Sequence, residues 1–138
     1  MNFKHILCAV DFSPTSVKAF EAAVELARSF TAQLHVIHVV EAEPAVPNLA
    51  LEQKAVDAMT ALVAGVPTAD IALTTEITTG TAFVEILKRA HELRVDLVSM
   101  GTKGLTLPEE RVFGGTAKRV FNEAPCSVLA VRENGEGS

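Results

Sequence analysis

Val95-Asp96-Leu97-Val98-Ser99-Met100-Gly101-Thr102-Lys103-Gly104 is an apolar run that passes directly into glycines and hydroxyl-bearing residues, with Gly114-Gly115-Thr116 following further along. A run of this composition predicts a strand buried on both faces of a parallel sheet. The loop after it suits phosphate, because several N–H groups must point at one spot and glycine lets the main chain approach closely. A helix starting near Thr116 would add its own N-terminal N–H groups. The same glycines would equally serve only to turn the chain and open a helix, as in many α/β loops that hold no ligand. The rest of the chain has to separate these two readings.

Ile6-Leu7-Cys8-Ala9-Val10, Leu34 to Val40 and Ser127-Val128-Leu129-Ala130-Val131 are apolar runs of the same kind. Ile71 to Thr78 differs: Ile71, Leu73, Thr75 and Ile77 alternate with Ala72, Thr74, Glu76 and Thr78, which predicts a strand partly open to solvent near a sheet edge. Helical patterns separate the runs. Ser13 is the N-cap of the first, with Pro14 at its first position and Val17, Phe20, Val24 and Ala27 as its apolar stripe. A second spans about Leu49 to Val63, with Val56, Met59, Leu62 and Val63 inward and Gly65 and Pro67 beyond its end. A third runs from about Thr81 through Val84, Ile86, Leu87, Ala90 and Leu93. A fourth runs from about Thr116 to Glu123, where Ala124-Pro125 stops it. The strictly alternating order predicts an α/β fold: a doubly wound, open five-stranded parallel sheet with helices on both faces. Ligands on such sheets bind outside the carboxyl ends of the strands, where Asp11, Val39 to Glu41 and Gly101 to Gly104 all fall.

Length and charge narrow the function. The chain has 138 residues, enough for one domain that buries roughly two-thirds of its unfolded surface without staples. Residues 1–132 form that expected domain, residues 133–138 a polar, glycine-rich tail, and Glu41 to Pro47 a surface loop. With 12 Lys+Arg against 17 Asp+Glu the formal net charge is −5, which disfavours nucleic acid and anionic membrane as partners. Any bound anion has to be held locally. No stretch approaches a membrane span and no signal-peptide layout opens the chain, so a cytoplasmic protein is expected. Cys8 and Cys126 have no metal or redox spacing and read as buried thiols. His35 and His38, three apart on a strand, should face opposite sides and cannot share a metal. No nucleophile elbow, catalytic triad, Walker-type Gly-Lys-Ser/Thr or acidic metal cluster is legible, so no catalytic residue is assigned.

Ile6 to Asp11 with Ser13, Leu34 to Val39, Asp96 to Gly104 and Ala124 to Val131 together resemble the universal stress protein family over nearly the whole chain, in order. The family's nucleotide signature, Gly-x2-Gly-x9-Gly-Ser/Thr, falls on Gly101, Gly104 and Gly114. The resemblance implies a Rossmann-like fold of the adenine nucleotide alpha hydrolase-like type and a site for ATP. It implies Asp11 and Val39 at the adenine end, Met100 and Gly101 beside the ribose, and Ala9 among the nucleotide-binding residues. Gly104, Gly114, Gly115 and Thr116 would then surround the phosphates. A magnesium ion accompanying ATP is left open.

The signature asks for Ser or Thr after Gly114, and this chain has Gly115. In the kept register a hydroxyl is lost while the Gly115 N–H remains; with a ten-residue spacer, Gly115-Thr116 becomes the pair and Thr116 a helix cap. One missing neutral hydrogen bond weakens binding about three- to tenfold. Lys103, Arg111 and Lys118 are available to a polyphosphate, with Glu109 and Glu110 opposing, although Lys103 and Arg111 equally suit a solvated surface. Asp11 likewise suits a turn before Ser13.

The leading expectation is a stress-response adenine-nucleotide binding module acting as a regulatory or protein-interaction switch, without a required reaction. Its partners would be an adenine nucleotide, an unknown protein, and a second copy through the apolar edge strand Ser127 to Arg132, a homodimer that the resemblance also implies. The alternatives are a slow ATPase or self-phosphorylating protein with Thr102 or Thr116 as acceptor, and a family member that binds no nucleotide and acts by protein interaction alone.

Overall fold

The computed structural model describes residues 2–41, 48–102 and 114–132. Nine elements follow one another: β1 (His5–Ala9), α1 (Pro14–Phe30), β2 (Gln33–Val40), α2 (Leu49–Ala64), β3 (Ala72–Thr79), α3 (Ala82–Glu92), β4 (Leu97–Gly101), α4 (Gly115–Glu123) and β5 (Ser127–Val131). All neighbouring strands pair in parallel, in the order β3-β2-β1-β4-β5. The α/β, doubly wound, five-stranded sheet expected from the alternation is therefore the fold. β1, β2 and β3 step outward in one direction, and the chain then crosses back to β4 and steps outward to β5. Right-handed crossovers in opposite directions must lie on opposite faces.

The two cores obey that rule. Phe20, Val24 and Ala27 of α1 and Met59 of α2 pack with Ile6, Cys8, Leu34 and Val36. Ile86 and Ala90 of α3 and Ala117 and Val120 of α4 pack with Leu7, Ile37 and Val98 on the other face. Each central strand thus feeds alternate residues to two cores, which is why its sequence is apolar throughout. β3, at the edge, is half-buried or exposed along its whole length. Glu76 there meets Arg89 and His35. Burial alone would raise its pKa, but hydrogen bonds from Arg89 and then His35 outweigh it and hold the carboxyl below its ordinary value.

Local signals place the ends. Ser13 Oγ accepts the Ser16 N–H at 3.3 Å and Pro14 is the first helical residue of α1, a preset φ and a side-chain cap together. α4 ends at Ala124, before Pro125. Three apolar positions differ from the expected stripes. Val56, Val84 and Leu93 are exposed, at 42%, 45% and 40%. In α2 the buried residues are Ala55 and Met59; this run is apolar on more than one face, and the small side chain turns inward. α4 starts one residue earlier than expected, with Gly114 as its cap and Thr116 inside the first turn. Cys8 is fully buried, and burial pushes its thiol far above the usual range. Cys126 is only half-buried, its thiol raised first by that burial.

At the amino ends of the strands Asp96 joins β1 to β4. Its carboxylate accepts the backbone N–H groups of Lys4 at 2.8 Å and His5 at 2.9 Å, and its own N–H donates to the His5 carbonyl at 2.7 Å. The bond from Lys4 and then that from His5 hold the carboxyl below its ordinary value. A carboxyl depressed on folding contributes stability above its unfolded pKa of about 4 and loses it as pH falls through the folded value. Asp96→Asn should therefore melt below the parent at pH 7, with the gap closing as pH is lowered past about 4; an equal gap at pH 7 and pH 2.5 in thermal melts would contradict this role.

Candidate functional site

Where the winding reverses, the chain leaving β1 and the chain leaving β4 depart to opposite faces, and a cleft opens at the carboxyl ends of the strands. A cavity of about 380 Å³ occupies it, a size typical of small-molecule sites. Of the residues the sequence proposed, Ala9, Asp11 and Val39 line one end, Met100 and Gly101 the middle, and Gly114, Gly115 and Thr116 the other end. Gly104, with Lys103, Glu109, Glu110 and Arg111, lies outside the described residues. Ser16, Ile37, His38, Ala82, Ile86, Thr102 and Ala117 also line the cavity. Ala82 and Ile86 were not legible as site residues, because the start of α3 meets the cleft only once the sheet order is known.

Main-chain polarity gives the first end a donor and an acceptor. In a parallel sheet alternate residues direct both N–H and C=O to alternate neighbours. The Ile37 carbonyl accepts from Val10 N–H at 2.9 Å, toward β1, and the Val40 carbonyl accepts from Gly80 N–H at 3.0 Å, toward the other side. Val39 shares the orientation of Ile37 but lies beyond the last residue of β1. Its N–H and C=O therefore face the cleft as an adjacent donor and acceptor. Asp11 stands across from it, exposed. One carboxylate oxygen accepts the Ser13 N–H at 3.0 Å, and the Asp11 N–H donates to Ser16 Oγ at 3.3 Å. The turn-forming role and the cleft-lining position of Asp11 thus coexist. Ala9, Ile37, Ala82, Ile86 and Met100 supply apolar walls between the polar ends.

The other end is the start of α4. Gly114 carries no capping side chain, and the first intrahelical bond is Lys118 N–H to the Gly114 carbonyl. The N–H groups of Gly115, Thr116 and Ala117 thus have no acceptor within the helix, and the helix dipole adds positive potential there. α1 contrasts with it, because Ser13 already caps that helix. Thr102 fixes the position of α4: its N–H donates to the Val131 carbonyl at 3.0 Å and its carbonyl accepts the Gly114 N–H at 2.6 Å. Among the described lining residues the ionised side chains are Asp11 and Glu41, and at this end the described groups that face an anion are backbone N–H dipoles.

Two glycines have opposite reasons. A Cβ on Gly101 would come within 2.4 Å of Thr15 Oγ1 and 2.9 Å of the Ser16 nitrogen, so packing of α1 on β4 already demands glycine. Among the described residues nothing lies within 4 Å of a Cβ on Gly115. The described residues leave room there for the hydroxyl residue that the signature expects.

An open parallel sheet with helices on both faces and a cleft at its winding reversal defines an α/β protein of the Rossmann-like class. The universal stress protein family model matches residues 2–132. The chain is 33% identical, over 95% of its length and 97% of the relative's, to universal stress protein A homolog 1 of Coxiella burnetii. It superposes on the universal stress protein UspA of Lactobacillus plantarum with a TM-score of 0.81 at 29% identity, covering 96% of this chain and 99% of that one. A universal stress protein of Archaeoglobus fulgidus, solved in complex with dAMP, shares the fold at a TM-score of 0.76 and 18% identity, over 95% of this chain and 99% of that one. The chain belongs to the universal stress protein family.

Gly101→Ala should lower stability by about 1–3 kcal/mol through overpacking against α1, read as a fall of roughly 3–10 °C in melting temperature. An unchanged melt would show that the α1–β4 contact is looser than the distances require.

Proposed function

We propose that this protein binds an adenine nucleotide, with ATP as its ligand, and that occupancy of the cleft favours one conformation or partner-binding surface over another. The observation that carries the reading is the pairing of two ends in one cavity: the Val39 main-chain donor and acceptor beside Asp11, and the N–H groups of Gly115, Thr116 and Ala117 that open α4 without an acceptor within the helix. A purine has donor and acceptor groups on adjacent edge atoms and a flat apolar face, which match the first end and the walls. A phosphate matches the second. The dAMP complex of the Archaeoglobus fulgidus relative supports an adenine nucleotide as the ligand class. Residues Ala9, Met100 and Gly101 would border base and ribose, while Gly104, Gly114, Gly115 and Thr116 would serve the phosphates.

Among the described residues no cluster of three or more His, Cys, Asp or Glu side chains is placed to hold a metal. A magnesium ion would therefore arrive with the phosphates. For self-phosphorylation, Thr102 is a poor acceptor, being only 2% exposed. Mass spectrometry of the purified protein should find adenine nucleotide, or millimolar ATP should raise its melting temperature. Neither being seen would refute the proposal. Gly115→Ser adds the signature's hydroxyl where no described residue blocks it and should tighten ATP about three- to tenfold in calorimetry; an unchanged or weaker affinity would place the phosphates elsewhere.

The protein also pairs, on this reading, with a second copy through β5. Val128 to Val131 form a half-buried apolar edge strand, and such an edge invites another chain. Sedimentation should give a dimer mass at micromolar concentration, and a monomer at every concentration would exclude it.

A further inference from the structure

Asp11 sits between two residues that a single side chain holds, His38 of β2. The His38 Nδ1 lies 2.8 Å from the Val10 carbonyl oxygen. A carbonyl only accepts, so Nδ1 carries the hydrogen and donates it. Phe12, on the other side of Asp11, has φ 66°, the left-handed region, where a bulky residue other than glycine is an outlier that surrounding contacts must hold. Its ring lies on the His38 imidazole with centroids 4.6 Å apart and planes inclined by 37°. Phe12 also packs against the core beneath α1. From the strand that carries Val39, Val10 is thus held by the His38 bond beside the Ile37 carbonyl bond, and Phe12 by the ring contact, and His38 itself lines the cleft.

We infer that His38 is the positioning residue for base recognition: it holds the strained Asp11-Phe12 turn so that the Asp11 carboxylate and the Val39 main chain meet the same purine edge. This rests on the nucleotide reading above. Three other features bear on its strength. The bond crosses from β2 to the end of β1 just beyond the last ladder bond, Val10 N–H to the Ile37 carbonyl, and so extends the β1–β2 tie to the residue that precedes Asp11. The Ser13 and Ser16 bonds to Asp11 lie within the turn and orient it relative to α1 only. At Phe12 the His38 ring and the α1 core are the two contacts that meet the side chain of a residue at positive φ.

The test compares ATP with ITP, which has a carbonyl oxygen in place of the 6-amino group. Asn places an amide nitrogen where imidazole has Nδ1, so His38→Asn keeps the donor and loses most of the ring; His38→Phe keeps a ring and loses the donor. The parent should prefer ATP over ITP by about tenfold or more, an unpaired buried polar group being the cost of the wrong base. His38→Phe should bring that ratio to within about twofold, and His38→Asn should retain most of it. Melting temperatures are recorded beside each titration, since a purely structural role would lower stability and both affinities while leaving the ratio unchanged. That unchanged ratio in a folded His38→Phe overturns the inference. If His38→Phe fails to fold, Phe12→Gly, which takes the positive φ without strain, should reduce the ratio in its place, and a retained ratio there overturns it equally. A parent that binds neither nucleotide refutes the nucleotide reading itself, whereas a parent that binds ATP with a ratio insensitive to His38 or Phe12 refutes this inference alone.

Discussion

The first turn of α1 lies directly on the end of β4. Gly101 leaves no space for a Cβ beneath Thr15 and Ser16, and two residues earlier on the same face the buried Ser99 hydroxyl donates to the Ala19 carbonyl at 2.9 Å. Small side chains on both sides, Ser99 and Gly101 against Ala19 and Ala23, let helix and sheet approach closely where the winding reverses. The consequences run outward from there. The start of α1 is held over β4, so the Asp11 turn that precedes it stands at the cleft mouth. Thr102, the residue after the contact, is tied to both β5 and the start of α4. One packing constraint therefore positions both ends of the cavity.

The chain's net negative charge gives no general attraction for a polyanion. Within the cleft the balance is local: among the described residues the ionised side chains are acidic and the positive character comes from backbone N–H groups. Such dipoles are fixed by sheet geometry at Val39 and by a helix start at Gly115, and fixed dipoles have no side-chain entropy to lose.

The fold was almost wholly legible from the amino-acid sequence because it depends on patterns of period. Fully apolar runs marked strands buried on both faces, the alternation from Ile71 to Thr78 marked an edge, and Ser13-Pro14 marked a helix start. What failed was the choice of face in helices apolar on several sides, as at Val56 and Val84, since propensity does not say which side packs. The cleft residues that follow strands were legible for the same topological reason. Ala82 and Ile86 were not, because they reach the cleft through the sheet order rather than through any local signal. Gly101 carried a signal that was read for only one of its causes: the structure shows a packing requirement, whatever the ligand does. His38 was read only as half of a metal pair that alternation forbids, and its bond to Val10 needed the β1–β2 register.

The central claim is that both ends of this cleft act on one adenine nucleotide, and backbone amide chemical shifts of the folded protein titrated with ATP test it most directly. Saturable changes are expected together at Val39 and at Gly115, Thr116 and Ala117, reporting the base and phosphate ends with a single dissociation constant. Saturable changes confined to other surfaces, such as the β5 edge, or no saturable change at millimolar ATP, would contradict it.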